Sequence, residues 1–371
     1  MDRPIHLSVV ATSRNDNHGG SLTHRMQHFV DGFVAQCKRH SLRAELIMVE
    51  WNPPADRRPL AEELRWPKDP SPCDIRIVTV PREVHARFAH ADKIPLYQMI
   101  AKNVGIRRAR GEYILATNID ILFSDAAVRY MRDHLRPGRL FRAYRVDVPA
   151  ALPEGCDFAE LLRFCEAQGF RMHGIASTVV RDGARWRWRD QLKLALDARV
   201  TYLLHLIRRT FDFRQPAASS AAAPRASAAL QLRRLMRPWA FTNACGDFTL
   251  LSREDWFRLR GYPEWDVFSW HLDSLLVFQA LGAGCAQEVL GRNAPVFHIE
   301  HGKGFTPEGA AELFSRLTAQ GVPFLTDADF LRLQDEIAAK WRTRAEILFN
   351  EPPWGMAAEQ LPESQPLHAR A

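Results

Sequence analysis

Residues 101–123, AKNVGIRRARGEYILATNIDILF, decide the fold that we expect for this chain. Leu96, Ile100 and Val104 recur at the spacing of one helical face, so a helix is expected to run into this stretch. Residues 113–117 then form a short apolar run that is typical of a buried strand. The stretch therefore predicts a helix followed by a strand, with polar residues directly after the strand.

Those polar residues, Asn118-Ile119-Asp120, are the first candidate site. An open α/β sheet binds its ligands at the carboxyl ends of the strands. One carboxylate and one amide oxygen suit a hard cation such as Mg²⁺ or Mn²⁺. On spacing alone, a simple turn and cap is the more economical interpretation, because Asn and Asp favour turns.

Two residues are expected to mark helix ends around the strand. Gly111 is placed to end the preceding helix in a left-handed conformation, which costs glycine little. Ser124 is expected to cap a helix from Asp125 to Leu135, with its hydroxyl accepting from free backbone N–H groups. The predicted order is helix, strand, acidic corner, helix.

Three motifs carry a resemblance to a known family: Lys102-Asn103-Val104-Gly105, Ala109-Arg110-Gly111-Glu112-Tyr113-Ile114 and Asn118-Ile119-Asp120. They occupy the places of the Arg-Asn-x-Gly helix, the Ala-x-Gly-Glu-Tyr-Ile strand entry and the Asp-x-Asp metal motif. In these motifs the chain resembles the nucleotide-diphosphate-sugar glycosyltransferases of the GT-A fold, particularly the family 2 group. It departs from them at Asn118, where the family has Asp.

The resemblance implies an α/β fold of the GT-A (Rossmann-like) type, with a mostly parallel central sheet flanked by helices. It also implies a divalent metal cofactor, Mn²⁺ or Mg²⁺, held by Asp120 with Asn118 assisting. The expected partner is a nucleotide-sugar donor.

Composition limits the class of protein. With 371 residues and 46% hydrophobic content, the chain can bury a substantial core. Its six cysteines lack C-x-x-C spacing, which favours reduced thiols over a zinc module or a disulfide framework. No basic-then-apolar leader and no membrane-span window is visible, so a cytoplasmic protein is expected. The net charge of +7 favours anionic partners such as nucleotide diphosphates, lipid headgroups or nucleic acid.

Three predicted strands precede the acidic corner and alternate with helical patterns, as in a parallel sheet: Leu7–Ala11, Glu45–Glu50 and Asp74–Val80. The resemblance implies that Arg14 and Asp16, in the loop after the first strand, contact the nucleotide. Glu50, at the end of the second strand, is a further nucleotide-binding candidate. A polar turn and a solvated strand end remain the alternatives. The glycines do not match G-x-G-x-x-G, which disfavours a dehydrogenase.

Residues 181–239 have the pattern of a basic helical insertion. A predicted amphipathic helix with tryptophans near one end is followed by an Ala/Ser/Pro-rich segment that is expected to be flexible and by a second short basic helix. Such helices suit an anionic membrane surface, which would place the protein on the inner face of the membrane. The alternative is that the apolar stripe packs on the domain itself.

A second signature follows the insertion. Gly261-Tyr-Pro-Glu and the later His271-Leu272-Asp273 resemble the family's turn and acidic helix, with Asp273 as the counterpart of the catalytic carboxylate. Asp266 is the alternative. Inverting transfer needs one general base, which takes the acceptor's proton, whereas a glycoside hydrolase would use paired carboxylates.

The segment from His298 to Gly304, HIEHGKG, completes the predicted site. The resemblance implies that His298 supplies the missing metal ligand and that Lys303 reaches the diphosphate. A pair of ordinary surface histidines is the alternative. After a terminal helix, the chain from residue 351 is expected to be a disordered tail.

We therefore expect four parts: residues 1–180 (nucleotide-sugar binding), 181–239 (insertion), 240–350 (acceptor binding and catalysis) and 351–371 (tail). The predicted function is an inverting glycosyltransferase of cell-envelope polysaccharide synthesis, moving a sugar from a UDP donor to a glycan or lipid-linked acceptor. The alternatives are a sugar-phosphate nucleotidyltransferase and a non-catalytic basic protein that binds membranes or nucleic acid. Nucleic acid is the less expected partner, because no nucleic-acid motif is present.

Overall fold

The described residues of the computed structural model are 4–67, 69, 71–175, 177–181, 186, 189, 192, 240–301, 307–343 and 346–366. Nearly all of the predicted insertion at residues 181–239 lies outside them, and so does Lys303. Within the described ranges, no helix is both long enough and apolar enough to span a bilayer.

The strands are β1 (Leu7–Ser13), β2 (Ala44–Trp51), β3 (Cys73–Val80), β4 (Tyr113–Ala116), β5 (Ile121–Phe123), β6 (Arg139–Arg142), β7 (Arg145–Val148), β8 (Arg171–His173), β9 (Thr178–Val180), β10 (Thr249–Ser252), β11 (Ala286–Val289), β12 (Val296–Ile299) and β13 (Glu363–Ser364). The helices are α1 (Leu22–His40), α2 (Leu60–Glu63), α3 (Arg82–His85), α4 (Gln98–Arg108), α5 (Asp125–Asp133), α6 (Phe158–Gln168), α7 (Arg253–Leu259), α8 (Leu272–Gly282), α9 (Pro307–Ala319) and α10 (Asp327–Thr343). Cys245–Asp247 form a short 3₁₀ turn before β10.

The main sheet has the strand order β11-β6-β10-β4-β1-β2-β3-β13. Four consecutive strands of this sheet, β4, β1, β2 and β3, are parallel to their neighbours within the group. Strand β10 is antiparallel to both β4 and β6, and β13 is antiparallel to β3. The predicted α/β class, with a central parallel sheet flanked by helices, is confirmed by this topology.

A second sheet, in the order β5-β12-β7-β8-β9, lies beside the acidic corner. Strand β12 is antiparallel to β5 and parallel to β7. Because β5 begins directly after Asp120, this pairing brings β12, which is far away in the sequence, to the end of β4.

Helix α4 lies close against the main sheet because Gly105 has no side chain. A Cβ at this position would lie 2.4 Å from Val10 Cγ1 and 3.2 Å from Val49 Cγ2. On the other face, Phe29 and Phe33 of α1 pack against Phe123 in β5. Burial of such a side chain contributes about 1.5–3 kcal/mol.

The predicted left-handed end of the helix at Gly111 is wrong. Helix α4 ends at Arg108, and the backbone of Gly111 has no positive φ. Gly111 is required for a close approach to β1 instead, since a Cβ would lie 2.7 Å from the backbone nitrogen of Ser8. The predicted cap is confirmed, because Ser124 Oγ accepts from the backbone nitrogen of Ala127.

The expectation of a disordered tail from residue 351 is wrong for the part that the structure describes. Strand β13 pairs with β3 at the edge of the main sheet. Arg76 of β3 donates from Nε to Glu363 Oε1 at 2.6 Å and from Nη1 to the buried Glu45 Oε2 at 3.0 Å. The C-terminal segment is therefore fixed by strand pairing and by an ion pair with a nearly buried arginine.

Candidate active site

The site lies where β1 and β4 end. These strands are parallel, so the loop after β1 and the Asn118–Asp120 corner after β4 lie at the same edge of the sheet. Strand β12 pairs His298 with Ile121, the residue that follows Asp120. Residues that are far apart in the sequence thus meet at one edge.

Asp120, His298 and His301 form a compact group there. The Nε2 atoms of His298 and His301 lie 3.8 Å and 3.4 Å from Asp120 Oδ2. The ligand atoms of the three residues all lie within 4.8 Å of one another, as expected for a group that could hold a metal ion. The predicted proximity of Asp120 and His298 is present in the structure, and His301 adds a third donor.

The donor set fits a divalent cation. Asp120 Oδ1 and His301 Nδ1 are buried and have no hydrogen-bond partner among the described residues. Burial alone would raise the pKa of Asp120, but the charges of His298, His301 and Arg25 hold it below its usual range. Asp120 is therefore ionised at neutral pH, and one carboxylate with two imidazoles suits a divalent transition-metal ion.

A buried arginine contacts the same carboxylate. Arg25, in the first turns of α1, donates from Nη1 to Asp120 Oδ2 at 3.0 Å. Its Nη2 donates to the backbone oxygens of His18 and Gly20. Arg25 thus connects the acidic corner to the loop after β1.

Asn118 is not placed as a metal ligand. Its Oδ1 accepts from Gln98 Nε2 at 2.9 Å, and its Nδ2 donates to Asp247 Oδ1 at 2.6 Å. Both ends of the amide are therefore used within the protein. The metal-assisting role of Asn118 stays a prediction; in the structure its amide joins α4 to the 3₁₀ turn.

An ionic cluster supports His298 from behind. Asp147 in β7 is fully buried and accepts from Arg145 Nε at 2.8 Å and also from Arg171. His298 Nδ1 lies 3.2 Å from Asp147 Oδ1, and His173 Nε2 lies 3.1 Å from Asp147 Oδ2. Burial would raise the pKa of Asp147, but these partners hold it well below its usual range.

Asp147, His298 and Glu300 also form a group with metal-ligand spacing. The Asp147 carboxylate is already bonded to two guanidinium groups, so we favour the group around Asp120. Sequence reasoning missed Asp147; the charged residues of Arg145-Val-Asp147, in a strand that is largely buried, were the available signal.

Lys102 lies at the centre of the acidic residues. Its side chain is fully buried, and Nζ donates to the backbone oxygen of Gly246 at 2.7 Å. Burial lowers the pKa of Lys102 to about 8, although the charges of Asp247, Asp273 and Asp120 oppose the shift. The sequence motif included Lys102, but its position among three carboxylates was not foreseen.

Asp273 is half-buried in the first turn of α8. Its Oδ1 accepts from the backbone nitrogen of Ser274 at 2.7 Å, and its Oδ2 would lie 3.1 Å from a Cβ at Gly246. The charges of Asp273 and Asp120 both act on the buried ammonium of Lys102. Asp266, the alternative base, instead accepts from the backbone nitrogen of Ala89 at 3.1 Å.

The predicted nucleotide-binding residues have different positions. Arg14 and Asp16 form an ion pair of 3.1 Å in the loop after β1, with side chains about one-quarter exposed (25% and 26%). Glu50 is buried, and its carboxylate accepts from the backbone nitrogen of Leu60 at 2.9 Å and from Thr79 Oγ1 at 3.4 Å. The nucleotide-binding role of Glu50 stays a prediction; in the structure its carboxylate stabilises the fold through these two hydrogen bonds.

Comparison with known proteins gives similarity at the level of structure. No family model matches the sequence, and no curated protein matches it. One similar structure is the catalytic domain of Drosophila beta1,4-galactosyltransferase 7 in complex with xylobiose, at 10% identity and a TM-score of 0.33, covering 82% of this chain and 79% of that chain. Another is GalNAc-T7 with UDP, GalNAc and Mn²⁺, at 10% identity and a TM-score of 0.41, covering 92% of this chain and 57% of that chain.

Both are glycosyltransferases, and both TM-scores are below 0.5. The function proposed below therefore depends on the sequence motifs and on the geometry of the site.

Proposed function

We propose that this protein is an inverting glycosyltransferase, which moves a sugar from a UDP-sugar donor to a hydroxyl of a glycan or lipid-linked acceptor. One observation supports this above all. Asp120, His298 and His301 meet at the carboxyl edge of a parallel sheet, and a buried oxygen of Asp120 has no partner among the described residues. A site of this kind suits a metal-bound diphosphate.

Asp120, His298 and His301 would hold the divalent ion, Mn²⁺ or Mg²⁺. Such an ion neutralises the negative charge that develops on a leaving diphosphate. Arg14 and Asp16, on the partly exposed loop after β1, are proposed to contact the nucleotide. Lys303, which lies outside the described residues, is proposed to contact the diphosphate.

Asp273 is the proposed general base. The backbone nitrogen of Ser274 holds its Oδ1, so the carboxylate is oriented while the residue stays partly accessible. In the reaction, Asp273 takes the proton of the acceptor hydroxyl, whose oxygen forms a bond to the anomeric carbon. The bond from that carbon to the diphosphate breaks on the opposite face, and the nucleoside diphosphate leaves, so the configuration inverts.

Asp273→Asn tests this assignment. It should lower turnover by about 10²–10⁴-fold, the usual contribution of a general base, and should leave UDP affinity nearly unchanged. Asp266→Asn is the matched control, because Asp266 bonds to the backbone of Ala89. Near-normal turnover in Asp273→Asn, or a loss in Asp266→Asn alone, would refute the assignment.

The donor is tested by thermal shift with a panel of nucleotide sugars, each with and without Mn²⁺. A glycosyltransferase should be stabilised by one donor in a metal-dependent way, and should release a nucleoside diphosphate. Release of pyrophosphate would identify a nucleotidyltransferase instead.

We also propose that residues 181–239 attach the protein to the cytoplasmic face of a membrane. The support is the basic amphipathic pattern of that sequence. Flotation with anionic liposomes should depend on these residues, and equal flotation of a variant that lacks them would exclude this role.

A further inference from the structure

The positively charged guanidinium of Arg25 contacts Asp120, the proposed metal ligand. The Arg25 side chain is 3% exposed, and its Nη1 lies 3.0 Å from Asp120 Oδ2. The same oxygen is the one that His298 Nε2 and His301 Nε2 approach, at 3.8 Å and 3.4 Å. A guanidinium and two imidazoles therefore share one carboxylate oxygen.

This pairing already balances the charge of Asp120. A divalent ion on Asp120 would add two positive charges next to a buried guanidinium, and an uncompensated buried charge is costly. Two further buried carboxylates are already paired with arginines, because Asp147 is bonded to Arg145 and Arg171 and Asp247 to Arg145. The protein alone therefore offers little negative charge to offset the ion.

A diphosphate would supply that charge. We propose that Arg25 competes with the divalent ion for Asp120, and that Arg25 becomes a diphosphate-binding residue when the ion is bound. This inference rests on the function proposed above. The ion and the nucleotide diphosphate then bind cooperatively: the ion takes the place of Arg25 on Asp120, and Arg25 pairs with the phosphate oxygens.

The surroundings of Arg25 support this role. Its Nη2 donates to the backbone oxygens of His18 and Gly20, in the same loop that carries Arg14 and Asp16. Its Nε is buried and has no hydrogen-bond partner within the described part of the chain, so one donor remains for a ligand. The guanidinium thus lies between the metal group and the loop proposed to contact the nucleotide.

The packing above Arg25 is tight. A Cβ on Gly19 would lie 2.7 Å from His301 Nδ1 and 3.0 Å from Arg25 Nη2. Glycine at this position, with φ +74, allows the loop to lie directly over the histidine and the arginine.

Calorimetric titration of Mn²⁺, with and without UDP, tests the proposal in the wild type and in Arg25→Met. In the wild type, UDP should raise Mn²⁺ affinity at least about tenfold, and Mn²⁺ should raise UDP affinity by the same factor, because binding linkage is reciprocal. Arg25→Met should bind Mn²⁺ at least about tenfold more tightly without UDP. The gain on adding UDP should fall to a few-fold.

Arg39→Met is the matched control. Arg39 lies on the same helix, about 21 Å further along at 1.5 Å per residue, and forms an exposed ion pair with Asp125 at 3.0 Å. The Arg39→Met substitution also removes one positive charge and should leave Mn²⁺ affinity unchanged. Equal Mn²⁺ affinity in wild type, Arg25→Met and Arg39→Met would overturn the competition.

If Arg25→Met does not fold, the wild type and Arg25→Lys still test the proposal. Arg25→Lys retains the charge and should keep the weak Mn²⁺ binding of the wild type, whereas a tenfold gain would contradict the charge argument. Independent binding of Mn²⁺ and UDP to the wild type would also overturn it. If UDP does not bind at any Mn²⁺ concentration, the proposed function itself fails.

Discussion

Replacing Lys102 with Met should change how the stability of the protein depends on pH. The pKa of this fully buried ammonium is lowered from 10.5 to about 8, with burial as the largest cause. Between these pH values the unfolded chain binds more protons than the folded one, so the free energy of unfolding rises with pH. The lowering of the pKa corresponds to a change of about 3 kcal/mol in the free energy of unfolding, at about 1.4 kcal/mol per pKa unit.

The measurement is urea unfolding of wild type and Lys102→Met at several values between pH 7 and pH 10. Subtracting the two curves removes the titration of tyrosines and thiols that both proteins share. As pH rises above 8, the free energy of unfolding of the wild type should increase relative to that of Lys102→Met. Lys38→Met is the control, because Lys38 is 37% exposed and pairs with Asp69 only at 3.8 Å. A flat difference between wild type and Lys102→Met over this pH range would show that the ammonium is not a strained buried charge.

Three further changes test other parts of the structure. Gly246→Ala would place a Cβ 3.1 Å from Asp273 Oδ2, so turnover should fall about tenfold, which is less than the roughly 10²–10⁴-fold loss expected when a general base is removed, while calorimetry finds UDP affinity unchanged; normal turnover would argue against Asp273 as the base. Ser124→Ala removes the cap of α5 and should cost about 1 kcal/mol in urea unfolding, and no loss would mean that the cap is unimportant. Glu363→Ala leaves the nearly buried Arg76 without one carboxylate partner and should lower the free energy of unfolding by about 1.5 kcal/mol in the same measurement. No loss would mean that β13 does not stabilise the sheet edge.

The fold and the centre of the site could be predicted because local patterns determine them. Apolar runs alternating with helical spacing specified β1 to β4, and parallel strands bring their carboxyl ends to one edge. That geometry predicts Asp120 at the edge of the sheet, where the structure has it, and the motif resemblance brought in His298, which lies 3.8 Å away. Neither inference needs a side-chain contact to be known in advance.

The contacts between distant residues could not be predicted in the same way. Asn118 is bonded to Gln98 and Asp247, and nothing in its own sequence neighbourhood specifies either partner. Glu50 at the end of a strand reads as exposed, but Leu60 and Thr79 enclose it from other parts of the chain. The sequence pattern predicts which face of an element is buried, whereas tertiary contacts decide which polar groups already have hydrogen-bond partners.

The buried charges behind the site have a shared consequence for His298. Asp147 faces His298 Nδ1 at 3.2 Å, which directs Nε2 of the same ring toward Asp120, 3.8 Å away. An outer carboxylate of this kind sets the orientation and the basicity of a metal-ligating histidine. Buried ion pairs are often no more stabilising than apolar residues of the same volume, so stability alone is a poor reason to keep Asp147 with Arg145 and Arg171. Orientation of His298 toward Asp120 is a sufficient reason, and it connects the cluster in β7 and β8 to the proposed metal site at the end of β4.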